Sequence, residues 1–232
     1  VLAHEYVDTL EAGKTALVVS PTHREGDAIT EEIRRELKRV GRIEGEEHRL
    51  PGLENANLTE AERSDEVNYA PGDVFVFHQN AKGFTKGERV VVGEEERLPL
   101  DQAARFQVFR PKALDVAPGD VLRITRNGTT MDRKHRLNNG QLVTVKRFDK
   151  AGNLVLANGW TMAKDFGHLA YGYVVTSHAS QGKTVDRVLI GQSSASGLAS
   201  SKEQFYVTVS RGRERATIYT DDKEALHDAV KP

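Results

Sequence analysis

The chain has 232 residues, of which 38% are apolar and 29% are charged, and its formal net charge is −1. These values are typical of a globular protein with one large domain or two smaller ones, and they exclude an overall charge that would draw the chain to nucleic acid. No run of 18 apolar residues and no signal peptide are visible, so no membrane segment is expected. The chain has no cysteine, which excludes disulfides and thiolate metal sites. These features fit a cytoplasmic protein.

The first third of the chain predicts a strand–turn–helix unit of an α/β sheet. ALVVS (16–20) is a short strand of the buried type, and EGDAITEEIRRELKRVG after it carries apolar residues at helical spacing up to Gly41. Residues 42–72 are polar and acidic, and DVFVFHQ (73–79) predicts a further strand. Because the sequence starts at Val1 in the middle of a helical pattern, we expect a fragment of a longer protein.

From about residue 82 the pattern changes to short strands separated by glycine, proline, asparagine and aspartate. The strand-like segments are ERVVVG, RFQVF, DVLRITRN, QLVTVKRF, NLVLANG and WTMAKDF. Such spacing predicts a small antiparallel barrel or sheet. From about residue 169 the α/β pattern resumes, with LAYGYVVTSH, VDRVLIGQ and RATIYT as strands and SSKEQFYVTVSRG as a helix.

The tripeptide Gly-Lys-Thr, the ending of a phosphate-binding loop, occurs at residues 13–15 and again at 182–184. A phosphate loop has a further glycine five residues upstream and opens a helix, so that backbone N–H groups face the phosphates. Here Asp8 and Ser177 occupy the glycine position, and both tripeptides lead into strand-like segments. We therefore predict that neither copy is a phosphate loop.

A basic run, Arg211, Arg213 and Arg215, stands where the last predicted helix gives way to a strand. A guanidinium at such a junction can point toward a neighbouring domain and stabilise the charge on a transferring phosphoryl group. The same run also fits a solvated helix end, which spacing alone favours.

In combination, the segments SPTHREGDAI, NAKGFTKGE, TSHASQGKTVD and YVTVSRGRERATIYTDD resemble superfamily 1 DNA helicases of the RecD-like class, with motifs IV, V and VI in order. The likeness is closest to the C-terminal helicase part of conjugative relaxase-helicases of the TraI/TrwC type, and it spans nearly the whole chain. It implies a second RecA-like helicase domain, residues 1–81 and 169–232, interrupted by an SH3-like all-β insert at 82–168. The phosphate loop and the Mg²⁺-binding acidic motif would lie in a first RecA-like domain upstream of the chain.

The resemblance also implies roles for single residues. Arg211 corresponds to the arginine finger that contacts the γ-phosphate. The other nucleotide-binding positions are Arg24, Gln181, Gly182, Lys183 and Arg213. The positions expected to contact single-stranded DNA in the α/β part are Thr22, His23, Thr176, Ser177 and His178. For Arg24, a solvated position in the first turn of the helix fits equally well.

The insert carries a second candidate DNA contact, because residues 121–148 hold seven basic residues and a single acidic one. Basic loops on small β-barrels can track a phosphate backbone. The residues expected to do so are Arg126, Arg133, Lys134 and Arg136, although a solvated hairpin would look the same. Phe148 and Trp160 either stack on bases or fill the barrel core, and the core is favoured. The eight histidines show no metal-binding spacing, so no metal site is predicted.

The function implied by the resemblance is the C-terminal half of an ATP-dependent helicase or translocase on single-stranded DNA. ATP and Mg²⁺ would be held mainly by the upstream first RecA-like domain of the same polypeptide, so the isolated chain is not expected to hydrolyse ATP. The alternative is a non-catalytic nucleic-acid or protein-binding module, either a degenerate helicase domain or a β-barrel adaptor. A phosphate loop upstream in the parent gene would favour the motor.

Overall fold

The computed structural model of the chain describes residues 1–93, 98–176, 184–193 and 202–230. The helices are α1 (Leu2–Glu11), α2 (His23–Arg39), α3 (Glu60–Arg63), α4 (Lys202–Val209) and α5 (Lys223–Val230), with 3₁₀ turns at Glu66–Asn68 and Leu100–Arg105. The strands are β1 (Ala16–Val19), β2 (His48–Leu50), β3 (Leu53–Asn55), β4 (Val74–Phe77), β5 (Arg89–Val91), β6 (Phe106–Pro111), β7 (Leu114–Val116), β8 (Val121–Ile124), β9 (Gly128–Thr129), β10 (Arg136–Leu137), β11 (Leu142–Phe148), β12 (Leu154–Leu156), β13 (Thr161–Met162), β14 (Leu169–Tyr171), β15 (Val174–Val175), β16 (Val185–Gly191) and β17 (Gly212–Tyr219).

A parallel sheet is built from the two ends of the chain, in the strand order β15-β1-β16-β17. Its central strands are apolar and buried over residues 17–19 of β1 and 188–190 of β16, as is typical of parallel strands covered on both faces. Helices α1 and α2 share one buried cluster with this sheet, which includes Val7, Val18, Ile33, Leu37 and Leu189. The predicted α/β class is confirmed by this sheet and its helices.

Helix α2 begins and ends at capping residues that the sequence supplies. Thr22 is extended, and its Oγ1 accepts a hydrogen bond from the backbone N–H of Glu25 at 3.3 Å. At the other end Gly41 takes a φ of +73°, a conformation that costs glycine little. The helix N-terminus therefore stands at the carboxyl end of β1, as in any strand–turn–helix unit.

The middle of the chain forms antiparallel sheets, as the short-strand pattern predicted. One has four strands in the order β3-β6-β4-β5, and another has five in the order β13-β12-β11-β8-β14. A cluster of aliphatic side chains that includes Leu122, Ile124 and Leu154 fills the core of the five-stranded sheet. Strands β2 and β3, within the polar segment 42–72, were not predicted, and they pair with β7 and β6. Antiparallel strands are thus found before residue 82 as well as after it. The division of the chain into domains at 1–81, 82–168 and 169–232 stays a prediction.

The predicted single strand LAYGYVV is two strands that belong to different sheets. β14 pairs with β8 in the antiparallel sheet, whereas β15 pairs with β1 in the parallel sheet. The chain crosses between them at Gly172, where a Cβ atom would lie 2.9 Å from Leu142 Cδ2 and 3.0 Å from Val121 Cγ1. Any larger residue here would have to displace the side chains of Leu142, which is exposed, and Val121.

Candidate nucleic-acid interface and arginine edge

Arg211 lies at the amino edge of the parallel sheet, between the end of α4 and the start of β17. Its Nε donates a hydrogen bond to the carbonyl oxygen of Val207 at 2.9 Å, and its own carbonyl accepts from the N–H of Val185 at 3.0 Å. These bonds orient the side chain, and its terminal nitrogens make no ion pair within the part of the chain that the structure describes. The helix-to-strand junction predicted for this arginine is confirmed.

The first Gly-Lys-Thr tripeptide also lies at this edge, but it contacts neighbouring side chains of the sheet. Thr15 donates to the carboxylate of Asp186 from both its backbone N–H and its hydroxyl, each at 2.8 Å. Arg213 Nη1 lies 3.6 Å from the same carboxylate, and Lys14 pairs with Glu214. The hydrogen bond from the Thr15 N–H, together with the Thr15 hydroxyl and the charges of Arg213 and Lys14, lowers the pKa of the Asp186 carboxyl.

Both tripeptides lead into strands, as predicted: β1 begins directly after Thr15 and β16 directly after Thr184. Lys14 and Thr15 are engaged with carboxylates of β16 and β17, which is a structural use of residues that in a phosphate loop would face the nucleotide.

The carboxyl edge of the parallel sheet opens into a cleft of about 730 Å³ between this sheet and the antiparallel strands. One wall carries Thr22 and His23 at the start of α2, and Thr176 directly after β15. The opposite wall carries polar side chains of the antiparallel region: His78, Gln107, Arg123, Thr125 and Arg126. Four of the residues predicted to contact DNA, Thr22, His23, Thr176 and Arg126, therefore line the same cleft.

Two arginines of the antiparallel wall lack a compensating carboxylate within the described ranges. Burial lowers the pKa of Arg123, and burial together with the charge of Arg89 lowers that of Arg126. The hydrogen bond that Arg126 makes is a long one, 3.5 Å from Nη2 to the carbonyl oxygen of Phe77. A partly desolvated cation without a counter-charge attracts anions strongly, because the surrounding dielectric is low.

Burial and nearby arginine charges also lower the pKa values of two histidines in this region. Burial, followed by the charge of Arg126, lowers the pKa of His78. Burial, with the charges of Arg126 and Arg89, lowers the pKa of His168 to about 4. After burial, the charge of Arg126 thus contributes to disfavouring the protonated form of both histidines.

The basic loop before β10 is separate from the cleft. Arg133, Lys134 and Arg136 are exposed and do not line it. Trp160 stacks on His135 with ring centroids 4.5 Å apart, and both Trp160 and Phe148 pack against the aliphatic core of the five-stranded sheet. These two aromatic residues are thus partly buried at the margin of the core, which bears out the predicted core position only in part.

The predicted site residues divide between two opposite edges of the parallel sheet. Arg211 and Arg213 stand at the amino edge, whereas Arg24 stands in the first turn of α2 at the carboxyl edge. The structure thus does not bring Arg24 and Arg211 together, and a shared phosphate contact stays a prediction. The remaining predicted positions lie outside the described residues: Ser177, His178, Gln181, Gly182 and Lys183.

Sequence reasoning did not single out three polar residues of the cleft as contacts, namely His78, Arg123 and Thr125. The alternation in VLRIT was a usable signal, since it puts Arg123 and Thr125 on the face opposite Leu122 and Ile124. In the described ranges no group of three or more histidine, aspartate or glutamate side chains is placed to hold a metal ion. No helix within those ranges is long and apolar enough to cross a membrane.

Comparison with known proteins gave no match to a family model. The chain is 25% identical, over 96% of its length, to the multifunctional conjugation protein TraI of Escherichia coli, and 24% identical to TraI of strain K12. It spans 14% of the length of each of these relatives.

Among solved structures, the chain is similar to Bacteroides Pif1 bound to single-stranded DNA, with 14% identity, a TM-score of 0.45 and coverage of 94% of this chain and 42% of that one. For the Pif1 helicase of Candida albicans the identity is 15%, the TM-score 0.44 and the coverage 91% and 46%. The alignment with TraI over nearly the whole chain confirms the resemblance to relaxase-helicases of the TraI type that the motifs predicted.

Proposed function

We propose that this chain is the second RecA-like domain, with an SH3-like insert, of an ATP-dependent helicase or translocase that acts on single-stranded DNA. The observation that carries the proposal is the division of candidate residues between the two edges of one parallel sheet. The similarity to a conjugation protein over 96% of the chain supports a role in conjugative DNA transfer.

At the carboxyl edge, the cleft has the features of a binding site for a phosphate backbone, which we call the DNA grip. Thr176 offers a hydroxyl group, and the Thr22 hydroxyl, which caps α2 and donates to the Glu25 carboxylate at 3.2 Å, would exchange that contact for one with DNA. The N-terminus of the 17-residue helix α2 offers backbone N–H groups and the positive end of its dipole. Arg126 faces them across the cleft, with no carboxylate partner among the described residues. Single-stranded DNA lying in the cleft would thus meet donors on both walls.

At the amino edge, Arg211 would contact a nucleotide held by another domain. Its Nε is occupied by the bond to Val207, so the two terminal nitrogens are the groups that would meet a γ-phosphate. A guanidinium there stabilises the charge that develops on the transferring phosphoryl group. Arg213 stands beside it and would exchange its long contact with Asp186 for a contact with the nucleotide.

ATP and Mg²⁺ are assigned mainly to a first RecA-like domain upstream of the chain, as the resemblance to RecD-like helicases implies. When bound, the nucleotide supplies the free energy of closure between the two domains. The resemblance assigns the coupling of DNA to nucleotide to Gln181, Gly182 and Lys183, which lie outside the described residues.

The test is DNA-stimulated ATP hydrolysis by the longer protein in which the chain is embedded, with Arg211→Ala compared to wild type. Loss of an arginine finger lowers turnover by about 10³-fold or more. Arg215→Ala is the matched control, because it removes the same charge from an exposed position on the same strand. If neither variant affects hydrolysis, or if the wild type does not hydrolyse ATP, the chain is a non-catalytic binding module.

A further inference from the structure

We propose that His78, Arg123, Thr125 and Arg126 form a subsite of the cleft that binds one backbone phosphate of single-stranded DNA. The proposal deepens the DNA grip described above, and it rests on that proposed function for the identity of the ligand. The subsite lies in the antiparallel region, on the wall opposite helix α2.

Strand β8 presents Arg123, and Thr125 follows directly after that strand. β8 is hydrogen-bonded on both sides, to β11 and to β14, so its backbone is fixed along its length. Leu122 and Ile124 are fully buried in the core of the sheet. Because side chains alternate along a strand, Arg123 and Thr125 share the other face and both line the cleft.

The other two residues join the subsite from a neighbouring sheet. His78 follows directly after β4, and its backbone N–H donates a hydrogen bond to the carbonyl oxygen of Arg105 at 3.0 Å. Arg126 reaches toward the same segment, with Nη2 3.5 Å from the carbonyl oxygen of Phe77. The subsite is thus held where the two antiparallel sheets meet.

Three hydrogen-bonding atoms at this place have no protein partner within the described part of the chain. They are Arg123 Nε, Thr125 Oγ1 and His78 Nδ1, and all three are buried. A buried donor left unpaired costs about 1–3 kcal/mol. Arg123 Nε and Thr125 Oγ1 can both donate, and His78 Nδ1 donates in the tautomer that carries its proton there. Such atoms on residues that line one cleft indicate a ligand that accepts several hydrogen bonds at once.

The charges that line the cleft are segregated: of its three lysine and arginine side chains, Arg123 and Arg126 lie together in the subsite, apart from the four carboxylates. The carboxylates of the cleft stand on α2, β3 and β7 and not on β8: Asp27, Glu31, Glu54 and Asp115. Two of them, Asp27 and Glu54, are engaged by Lys112 at 3.2 and 3.7 Å. No carboxylate within the described ranges pairs with Arg123 or Arg126, so both guanidinium groups can bind an external anion. The fork of N–H donors on a guanidinium complements the oxygens of a phosphate.

The facing wall indicates that the phosphate belongs to a polymer. The N-terminus of α2 with Thr22, and Thr176 beside it, form a second set of donors across a cleft of about 730 Å³. Repeating phosphates of one strand would satisfy both sets, whereas a single free phosphate would satisfy one.

The test is binding of fluorescein-labelled oligothymidylate to the chain, followed by anisotropy over a range of salt concentrations. Arg123→Met keeps the apolar stem of the side chain, and Thr125→Val keeps the shape of threonine. We expect Arg123→Met to weaken binding about tenfold or more and to reduce the slope of log K against log salt by about 0.7. Thr125→Val should weaken binding about three- to tenfold with an unchanged slope, since it removes a donor and no charge.

Arg35→Met is the matched control, because Arg35 is exposed on α2 and pairs within the helix with Glu32. It should leave both the affinity and the slope unchanged. Thermal melts of each variant show whether the fold is kept. Arg123→Met and Thr125→Val both preserve the approximate shape of the side chain, so each provides an independent test if the other variant does not fold.

Equal affinity of wild type, Arg123→Met and Thr125→Val would overturn the subsite while leaving the DNA grip in place. Absence of binding by the wild type at low salt would overturn both. Inorganic tripolyphosphate serves as competitor: we expect displacement of DNA only at millimolar concentration. If tripolyphosphate binds as tightly as DNA and loses affinity in the same variants, the site serves free polyphosphate and the proposal is wrong.

Discussion

The guanidinium of Arg34 on helix α2 binds the carboxylate of Asp120 with two hydrogen bonds, Nε to Oδ1 and Nη2 to Oδ2, each 2.9 Å long. The same guanidinium lies 4.5 Å from the ring centroid of Tyr171 and donates to the carbonyl oxygen of Asp115. Burial alone would lower the pKa of Arg34, but the hydrogen bond and charge of Asp120 outweigh it and raise that pKa. This buried pair joins the parallel sheet's helix to the antiparallel region.

Breaking that pair should destabilise the protein strongly. Arg34→Met leaves the Asp120 carboxylate buried without its cation, and the free energy of unfolding should fall by about 3–5 kcal/mol in urea titrations. Arg35→Met, one residue along on the exposed face of α2, should change it by less than about 0.5 kcal/mol. Similar small effects of both substitutions would contradict a structural role for the pair.

Stability should depend on pH through His168, which is 4% exposed. Its pKa is lowered from 6.5 to about 4 in the folded chain, so the unfolded chain binds more protons between these values. The free energy of unfolding should therefore fall as pH decreases from about 6.5 to about 4, by up to about 3 kcal/mol from this residue. In urea titrations across this range, His168→Gln should remove that part of the pH dependence. An unaltered pH profile in the variant would show that other groups cause it.

The turn at Gly119 should tolerate no side chain. Gly119 has a φ of +97°, and a Cβ atom there would overlap with the backbone carbonyl of Arg42. Gly72 has a similar φ of +93° but open space around it, so Gly72→Ala measures the cost of backbone strain without a steric clash. Gly72→Ala should cost about 1–2 kcal/mol and Gly119→Ala clearly more, because a backbone carbonyl cannot move aside. Equal melting temperatures for the two variants would contradict the close approach.

The basic loop offers a test of its own. Arg133, Lys134 and Arg136 are exposed and lie outside the cleft. If the loop contacts DNA, replacing all three by alanine should weaken binding of single-stranded DNA and reduce the salt slope by about 0.7 for each phosphate that these side chains neutralise in the wild type. Unchanged binding in the same anisotropy measurement would identify a solvated hairpin.

Local patterns predicted the elements that depend on local sequence. The buried strand β1, the capped helix α2 and the helix-to-strand junction at Arg211 all follow from apolar spacing and capping residues within about twenty positions. The TraI-like motifs placed Thr22, His23 and Thr176 on what the structure shows to be one cleft wall.

Features that depend on distant partners could not be predicted in this way. β2 and β3 are three residues long, and their pairing strands follow some sixty residues later. Nothing local marks Arg34 as the partner of Asp120, 86 positions away. His78 likewise joins Arg123 only because two antiparallel sheets meet in the folded chain. Such contacts are set by tertiary packing and not by periodicity.

The most direct test of the proposed function measures DNA affinity and maximal ATP turnover of the longer protein in parallel, for Arg126→Ala and for Arg211→Ala. Because Arg126 lines the cleft at the carboxyl edge of the parallel sheet whereas Arg211 lies at the amino edge of that sheet, we expect Arg126→Ala to weaken the affinity for single-stranded DNA while keeping turnover at saturating DNA. Arg211→Ala should keep the affinity and abolish turnover. If both substitutions lower both quantities equally, or neither lowers either, the division of the sheet into a DNA edge and a nucleotide edge is wrong.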